Sequence, residues 1–283
     1  MNASLDFPIF LVGCSRSGTT LLQSLLAAHP EVASFPESQF FHHLLPSPYE
    51  RRRYALGLVS GRLRPRLEQF FRDEMNRPEL VESLPRILFM GYYTRQFMAM
   101  LQNLAREQNK TILIEKTPDH IYYIESIEKF LPHARFIHLI RSGADVIASL
   151  YEVTHKYPEP WGGARNIDVC INDWLRAIAA SEKYLPASNH IGVRYEQLLQ
   201  EPEVVLKKLC EFIGIEFSQQ MILNYRSEAE KLSLDNAGRQ VSQSFASRNS
   251  QKFYQVFNPI EQQYILDQIA QVNLDKLPHQ SSD

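Results

Sequence analysis

The first apolar run, residues 9–12 (IFLV), is unbroken and stops at a Gly/Ser-rich turn, the pattern of a strand buried on both faces. From Thr20 onward Leu21, Leu22, Leu25 and Leu26 recur at helical spacing, and His29-Pro30 ends that pattern. A second apolar run, residues 111–115 (TILIE), predicts another strand. Pro118 and Asp119 then open a helix predicted to run to about Leu131. Residues 135–140 (RFIHLI) predict a third strand, followed by a helix from about Ala144. A long amphipathic pattern covers residues 167–184, a short strand 190–194, and a further helix 202–212. Alternating strands and helices predict a parallel sheet with right-handed crossovers. Residues 42–109 are rich in Arg and aromatic residues and carry no strand pattern, which predicts a helical insertion beside the sheet. The expected fold is α/β, a P-loop-like central parallel sheet flanked by helices, in a single domain of 283 residues.

Composition changes this picture little. Apolar residues make up 44% and the net charge is −2, an ordinary globular balance with no electrostatic case for nucleic acid. An anionic small ligand would therefore need a local cluster of cations. Cys14, Cys170 and Cys210 are odd in number and form no CxxC pair, which disfavours a disulfide framework or a zinc site. No basic leader or membrane-length apolar stretch is present, so a cytoplasmic location without a membrane partner is expected.

Two segments carry the chemistry. Gly13-Cys14-Ser15-Arg16-Ser17-Gly18-Thr19-Thr20 has the glycine spacing of a phosphate loop, between a strand and a helix. The lysine of a nucleotide-triphosphate loop is missing; Thr19 stands in its place, and Arg16 supplies a cation inside the loop. The third strand ends in Arg141, where P-loop NTPases often carry a magnesium-holding aspartate. Ser149 follows two turns into the next helix. Both departures exchange a metal site for cations that suit a second phosphate. Against this, any strand-to-helix turn can be rich in Gly and Ser, and Arg141 could simply pair with a carboxylate.

SRSGTT and, further on, RSGADVIAS resemble the 5'-phosphosulfate loop and 3'-phosphate segment of the sulfotransferase family. The wider wording, GCSRSGTTLLQSLLAAHPEV and EKTPDH, is similar to the branch containing bacterial and tyrosylprotein enzymes. The resemblance is strong over residues 8–40 and 111–156 and weaker over 190–260. It implies 3'-phosphoadenylyl sulfate (PAPS) as sulfuryl donor, a hydroxyl-bearing acceptor and no metal. It also implies donor contacts from Ser15, Arg16, Ser17, Gly18, Thr19, Thr20, Arg141 and Ser149. Glu37 falls where the branch places a catalytic base. Lys116, at the end of the second strand, resembles the lysine that meets the transferring sulfuryl group, with Arg16 beside it at the leaving phosphate. Tyr195, in an RYE-like strand end, is an adenine contact or a core residue. Lys252, and after it Arg248, falls in the place of the family's closing loop and is implied as a 3'-phosphate contact, although the Gly and Trp of that loop are absent here. His42, His43 and His120 are rival bases. Arg51-Arg52-Arg53 reads as a solvated helix face or an attractor for an acidic acceptor. A P-loop kinase or NTPase, and a non-catalytic nucleotide-binding protein of the same fold, are the alternatives. Nothing in the motifs selects among tyrosyl, sugar, lipid and secondary-metabolite hydroxyls, or sets an oligomeric state.

Overall fold

The computed structural model describes residues 7–45, 47–232 and 249–277. In chain order the first elements are β1 (Ile9–Gly13), α1 (Thr19–Ala27) and β2 (Val32–Ser34). Then come α2 (Phe40–Leu44), α3 (Arg51–Ala55), α4 (Leu63–Gln69) and α5 (Met90–Glu107). The chain returns to the sheet through β3 (Ile112–Lys116), α6 (Ile124–Phe130), β4 (Arg135–Ile140), α7 (Gly143–Lys156), α8 (Ile167–Tyr184) and β5 (His190–Arg194). It continues with α9 (Tyr195–Gln200), α10 (Pro202–Ile213), α11 (Gln220–Leu223), α12 (Tyr225–Leu232), α13 (Asn249–Val256) and α14 (Pro259–Ile269).

The five strands form one parallel sheet in the order β2-β3-β1-β4-β5. β1 is central, and every residue of it is buried, because both faces of the sheet are covered. Alternation divides the strand between two cores. Phe10 and Val12 join the aromatic-rich core shared with the insertion helices and with α7 and α8. Ile9 and Leu11 join the aliphatic core under α1 and α10. After β1 the chain runs to β2 and β3 on one side, then to β4 and β5 on the other. The carboxyl ends of β1 and β4 therefore flank a topological switch point, where open α/β sheets bind ligands.

One predicted element differs. The helix expected from Pro118 begins instead as a 3-10 turn, Pro118–Tyr123, and becomes α-helical only in α6. The tighter turn carries His120 back to the strand end: its Nδ1 lies 2.8 Å from Glu115 Oε2, and the Phe41 amide donates to its Nε2 at 3.2 Å. Two buried polar side chains are thereby satisfied, which an ideal helix from Pro118 has no means to do.

Among the described residues of 40–107 the named elements are all helices, joined to the sheet by aromatic stacking. Phe10 meets Phe41 at 6.0 Å, Phe41 meets Phe40 at 5.1 Å, and Phe40 stacks on Phe97 of α5 at 4.4 Å. The second link is Arg66 on α4, which is almost fully buried. Its Nη2 donates to the Glu37 carbonyl at 2.6 Å and to Glu74 Oε2 at 3.1 Å, while Nη1 completes the fork on Glu74. Arg66 thus fixes the backbone of the segment between β2 and α2.

On the β4–β5 side lies a buried histidine pair. His138 Nε2 is 2.9 Å from His190 Nδ1, and His138 Nδ1 is 3.1 Å from Ser181 Oγ. His190 stacks on Phe136 at 4.5 Å. Burial, and then the neighbouring His190, push the His138 pKa down to about 3.

Two predictions follow from this packing. The folded state keeps His138 neutral, while the unfolded chain takes up its proton near the ordinary value of roughly 6.5. The contribution to stability is therefore complete above that pH and lost as pH falls towards the folded value. The loss by pH 4 is on the order of 3 kcal/mol. Thermal unfolding followed by circular dichroism should show Tm falling more steeply with acid in the wild-type chain than in His138→Gln. Parallel Tm–pH curves for the two proteins would contradict it. Separately, Arg66→Ala strands the Glu74 carboxylate and the Glu37 carbonyl. Removing one partner of a buried pair typically costs 3–5 kcal/mol, and partial exposure of Glu74 reduces this to about 2–3 kcal/mol. Urea denaturation measures it, and Arg66→Lys, which keeps the charge but not the fork, should lose less.

Candidate active site

The loop after β1 is shaped by what its glycines avoid. A Cβ on Gly13 would stand 2.6 Å from the Leu139 carbonyl oxygen of β4. Gly18 has φ 102°, and a Cβ there would lie 2.3 Å from the Tyr195 ring. The Ser17 amide and hydroxyl both donate to the Cys14 carbonyl, at 3.1 and 2.7 Å, and close the turn. Arg16 takes a positive φ of 73° within it. α1 starts immediately at Thr19, so the first-turn amides of Thr19 and Thr20 belong to a helix N-terminus that follows the loop directly. The Cys14 thiol is buried, and burial raises its pKa well above the usual thiol value, which keeps it protonated and unreactive.

Against this loop stands Arg141, at the end of β4. Its Nη1 donates to the Arg16 carbonyl at 3.2 Å, and its guanidinium lies 4.4 Å from the Tyr195 ring centroid. The Trp174 indole N–H donates to the Arg141 carbonyl at 3.0 Å and holds the turn from the other side. Nη2 is 3.6 Å from Asp145 Oδ2, one helical turn on, so the carboxylate pairing open to Arg141 on sequence grounds is present. Its Nε is buried and makes no hydrogen bond. Burial raises the Asp145 pKa, and Glu196 adds to this while Arg141 opposes it. Arg16 Nε donates to Ser149 Oγ at 3.3 Å. Arg16, Arg141, Ser149 and Tyr195, distant in sequence, thus meet at the switch point, with Ser17, Gly18, Thr19 and Thr20 in the adjoining turn.

A second pair lies along the same edge. Lys116 Nζ is 2.6 Å from Glu37 Oε1, and the lysine is only 3% exposed. Beneath it Glu115 accepts hydrogen bonds from Ser38 at 2.7 Å and Thr117 at 2.8 Å, besides the His120 contact. Burial raises the Glu115 pKa, but His120 and these hydroxyls outweigh that and hold it below the usual carboxylate range. His120, with both ring nitrogens engaged and no exposed surface, is a structural part of this network. His42 is open to solvent on one side and 3.2 Å from the Tyr123 hydroxyl; the protein packed around the rest of its ring desolvates it and lowers its pKa. Burial, followed by the neighbouring His42, pushes the His43 pKa down to about 4.

Asp119 is a site residue that sequence reasoning used only as a helix start. Ser15 Oγ donates to its carboxylate at 3.2 Å. Although solvent reaches it, surrounding protein desolvates it and raises its pKa; the Ser15 bond opposes the rise and the charge of Glu37 adds to it. Its place directly after Lys116-Thr117-Pro118 was the available signal. α13 packs on α7, and Lys252 Nζ pairs with Glu152 at 2.6 Å, one turn beyond Ser149. Arg248 lies outside the described residues. Arg51 and Arg52 are exposed, as expected of a solvated face, and Arg53 donates to the Val59 carbonyl. Among the described residues no group of three or more His, Cys, Asp or Glu side chains could hold a metal ion.

Comparison with known proteins agrees with this architecture. The family model described as the sulfotransferase family matches residues 8–219. Protein-tyrosine sulfotransferase 1 of Danio rerio is 26% identical over 226 residues, covering 77% of this chain and 56% of its own length. The chain therefore spans little more than half of that relative. The sulfotransferase domain from the curacin biosynthetic pathway superposes with a TM-score of 0.63 at 21% identity, over 95% of this chain and 99% of that one. A mouse sulfotransferase solved in complex with PAP superposes with a TM-score of 0.51 at 14% identity, over 94% of this chain and 84% of its own. On the extent of the family match, the chain belongs to the sulfotransferase family of enzymes.

Proposed function

We propose that the chain moves a sulfuryl group from PAPS to an acceptor hydroxyl, with residues 42–109 as an insertion in a single sulfotransferase domain. The observation that carries this reading is the convergence of two cation-bearing motifs on one loop. Arg141 and Ser149 reach across from β4 and α7 to Arg16, 125 and 133 positions earlier in the chain. A mouse sulfotransferase of the same fold was solved in complex with PAP, which supports a nucleotide of that kind as the ligand proposed for this crevice.

The roles then follow from position. Loop amides and the Ser15, Ser17, Thr19 and Thr20 positions surround the 5'-phosphosulfate. Arg141, through its buried Nε, and Ser149 take the 3'-phosphate. Tyr195 is only 8% exposed, with Gly18 against its edge and Arg141 on its face, so its part is to hold Arg141 rather than to stack on a base. Glu37 accepts the acceptor's proton as the hydroxyl oxygen attacks sulfur. The S–O bond to the leaving 5'-phosphate breaks, and its electron pair passes to the bridging oxygen, which Lys116 and Arg16 stabilise. The transferred group carries less charge than a phosphoryl group, so cations in fixed positions suffice and no metal takes part. A kinase reading lacks support at Thr19 and Arg141, where it needs a lysine and an acid.

Titration calorimetry with 3',5'-adenosine bisphosphate tests the donor site. A charge-assisted contact contributes about 1.5–3 kcal/mol, so Arg141→Ala should weaken binding roughly tenfold or more. Equal affinity of the wild-type chain for adenosine 5'-monophosphate would remove the 3'-phosphate from this site. Sulfate transfer over an acceptor panel tests the base. Glu37→Gln keeps size and polarity but accepts a proton poorly, and turnover should fall about 10²–10⁴-fold with bisphosphate affinity unchanged. Near wild-type turnover in that variant would move the role elsewhere, and Asp119, His42 and His43 would be tested next.

A further inference from the structure

Half of the large apolar side chains exposed among the described residues fall in two short segments of the insertion, so they form a patch rather than a scatter. Leu56 is 65% exposed, Phe89 58% and Ile87 49%; Tyr54, Leu88 and Tyr92 stand beside them in sequence. The backbone joins the two segments. Leu58 bridges Phe89 in antiparallel fashion, the Met90 amide donates to Gly57 O at 2.9 Å, and the Val59 amide donates to Leu88 O at 2.8 Å. The Gly57 amide caps the end of α3 on Tyr54 O at 3.0 Å, and α5 begins at Met90. The result is a short two-stranded ribbon flanked by a helix end and a helix start, held in shape before anything binds.

Its charge is one-sided. Residues 48–58 and 84–95 contain Arg51, Arg52, Arg53, Arg86 and Arg95, against Glu50 as the only acid. Glu50 is occupied internally. It accepts from the Gly61 amide at 2.8 Å, the Ser60 hydroxyl at 2.7 Å and the Ser47 amide at 3.1 Å. Arg51, Arg52, Arg86 and Arg95 are exposed. A strongly basic, apolar face therefore stands on a chain whose net charge is −2.

We propose that this face binds the surface of an anionic bilayer as a peripheral contact. The sequence pattern alone gave no membrane partner, and among the described residues no helix is long and apolar enough to cross a membrane; the contact inferred here is a shallow one. Leu56, Ile87, Leu88 and Phe89 stand out from the ribbon, the shape that inserts into a soft acyl layer. Tyrosines and arginines around them suit the headgroup level, where long cationic stems lie flat and the guanidinium stays wet. Arginines that outnumber the acids on these segments match an anionic leaflet and bring an attraction that salt screens. A second copy of the same face would oppose arginine to arginine, which disfavours a symmetric dimer through it.

The test is co-sedimentation of the whole chain with large vesicles of phosphatidylcholine alone, or of phosphatidylcholine with phosphatidylglycerol, at low and high salt. The expected result is binding to the phosphatidylglycerol vesicles at low salt and release at high salt. Each arginine near such a surface changes partitioning by about fivefold. The triple variant Arg51→Gln, Arg52→Gln, Arg86→Gln should therefore partition at least about tenfold less. Leu56→Ser with Ile87→Ser and Phe89→Ser should lose binding at all salt concentrations. All six positions are exposed, and an unchanged Tm and bisphosphate affinity of the variants checks that the fold persists. Equal partitioning to both vesicle types, or unchanged partitioning of either triple variant, overturns the proposal. So does wild-type self-association in sedimentation velocity that the apolar variant abolishes while vesicles stay unbound, because the face then serves a second copy. Binding of a polyglutamate probe with no vesicle binding overturns it in favour of an acidic protein.

Discussion

Everything at the switch point depends on how closely three backbone segments approach one another. Gly13 lies under the Leu139 carbonyl, and Gly18 lies against the Tyr195 ring, at distances where any side chain would collide. The turn after β1 can therefore sit directly on the ends of β4 and β5. Arg141 fills the remaining gap, between the Arg16 carbonyl and the face of Tyr195. Trp174 and Glu196 then fix the turn after β4, through the Arg141 carbonyl and the Ser142 amide at 3.0 and 2.8 Å. None of these contacts is strong alone. Together they leave the loop little alternative position, because each segment is the wall of another's packing.

This close approach also explains the helical insertion's connection to the site. Glu37 is in no strand or helix. Its carboxylate meets Lys116 of β3, while its carbonyl meets Arg66 of α4. One residue is thus tied to the sheet by its side chain and to the insertion by its backbone. The next residue, Ser38, is tied to buried Glu115. The two carboxylates at the end of β3's edge differ accordingly. Glu115 is sealed and saturated with donors, a support. Glu37 keeps a partly exposed side chain on a fixed backbone, which suits a group that must meet a reactant.

Much of the architecture was legible because apolar burial leaves a periodic trace. The run at residues 9–12 reads as a strand covered on both faces, and residues 167–184 match α8 in full, since three-to-four spacing persists across it. The stretch after Pro118 misled because Asp and Pro mark a helix start, while the decisive contact, His120 to Glu115, is a tertiary one. Arg66 and Asp145 escaped notice for a related reason. An arginine and an aspartate on helices carry no mark that distinguishes a surface pair from a clamp; only the partner's position in space does. Lys252 was reached only through a closing loop whose Gly and Trp this chain lacks; it sits on α13 and pairs with Glu152, one turn beyond Ser149.

The cations of the site are not waiting for an anion. Lys116 has Glu37, Arg141 has Asp145 and the Arg16 carbonyl, and Arg16 has Ser149. Under the proposed roles, a nucleotide's phosphates therefore exchange partners rather than fill empty valences. The net gain is smaller than the summed contacts, since each internal bond given up counts against it. The exchange at Lys116 has a chemical consequence. Under the same roles, once Lys116 turns to the sulfuryl oxygens, the Glu37 carboxylate is released from that pairing and is free to meet the acceptor. Donor binding would thus prepare the base for the acceptor's hydroxyl. Under those roles, pairing Glu37 with Lys116 before reaction keeps the buried lysine and the partly exposed carboxylate compensated until the donor separates them.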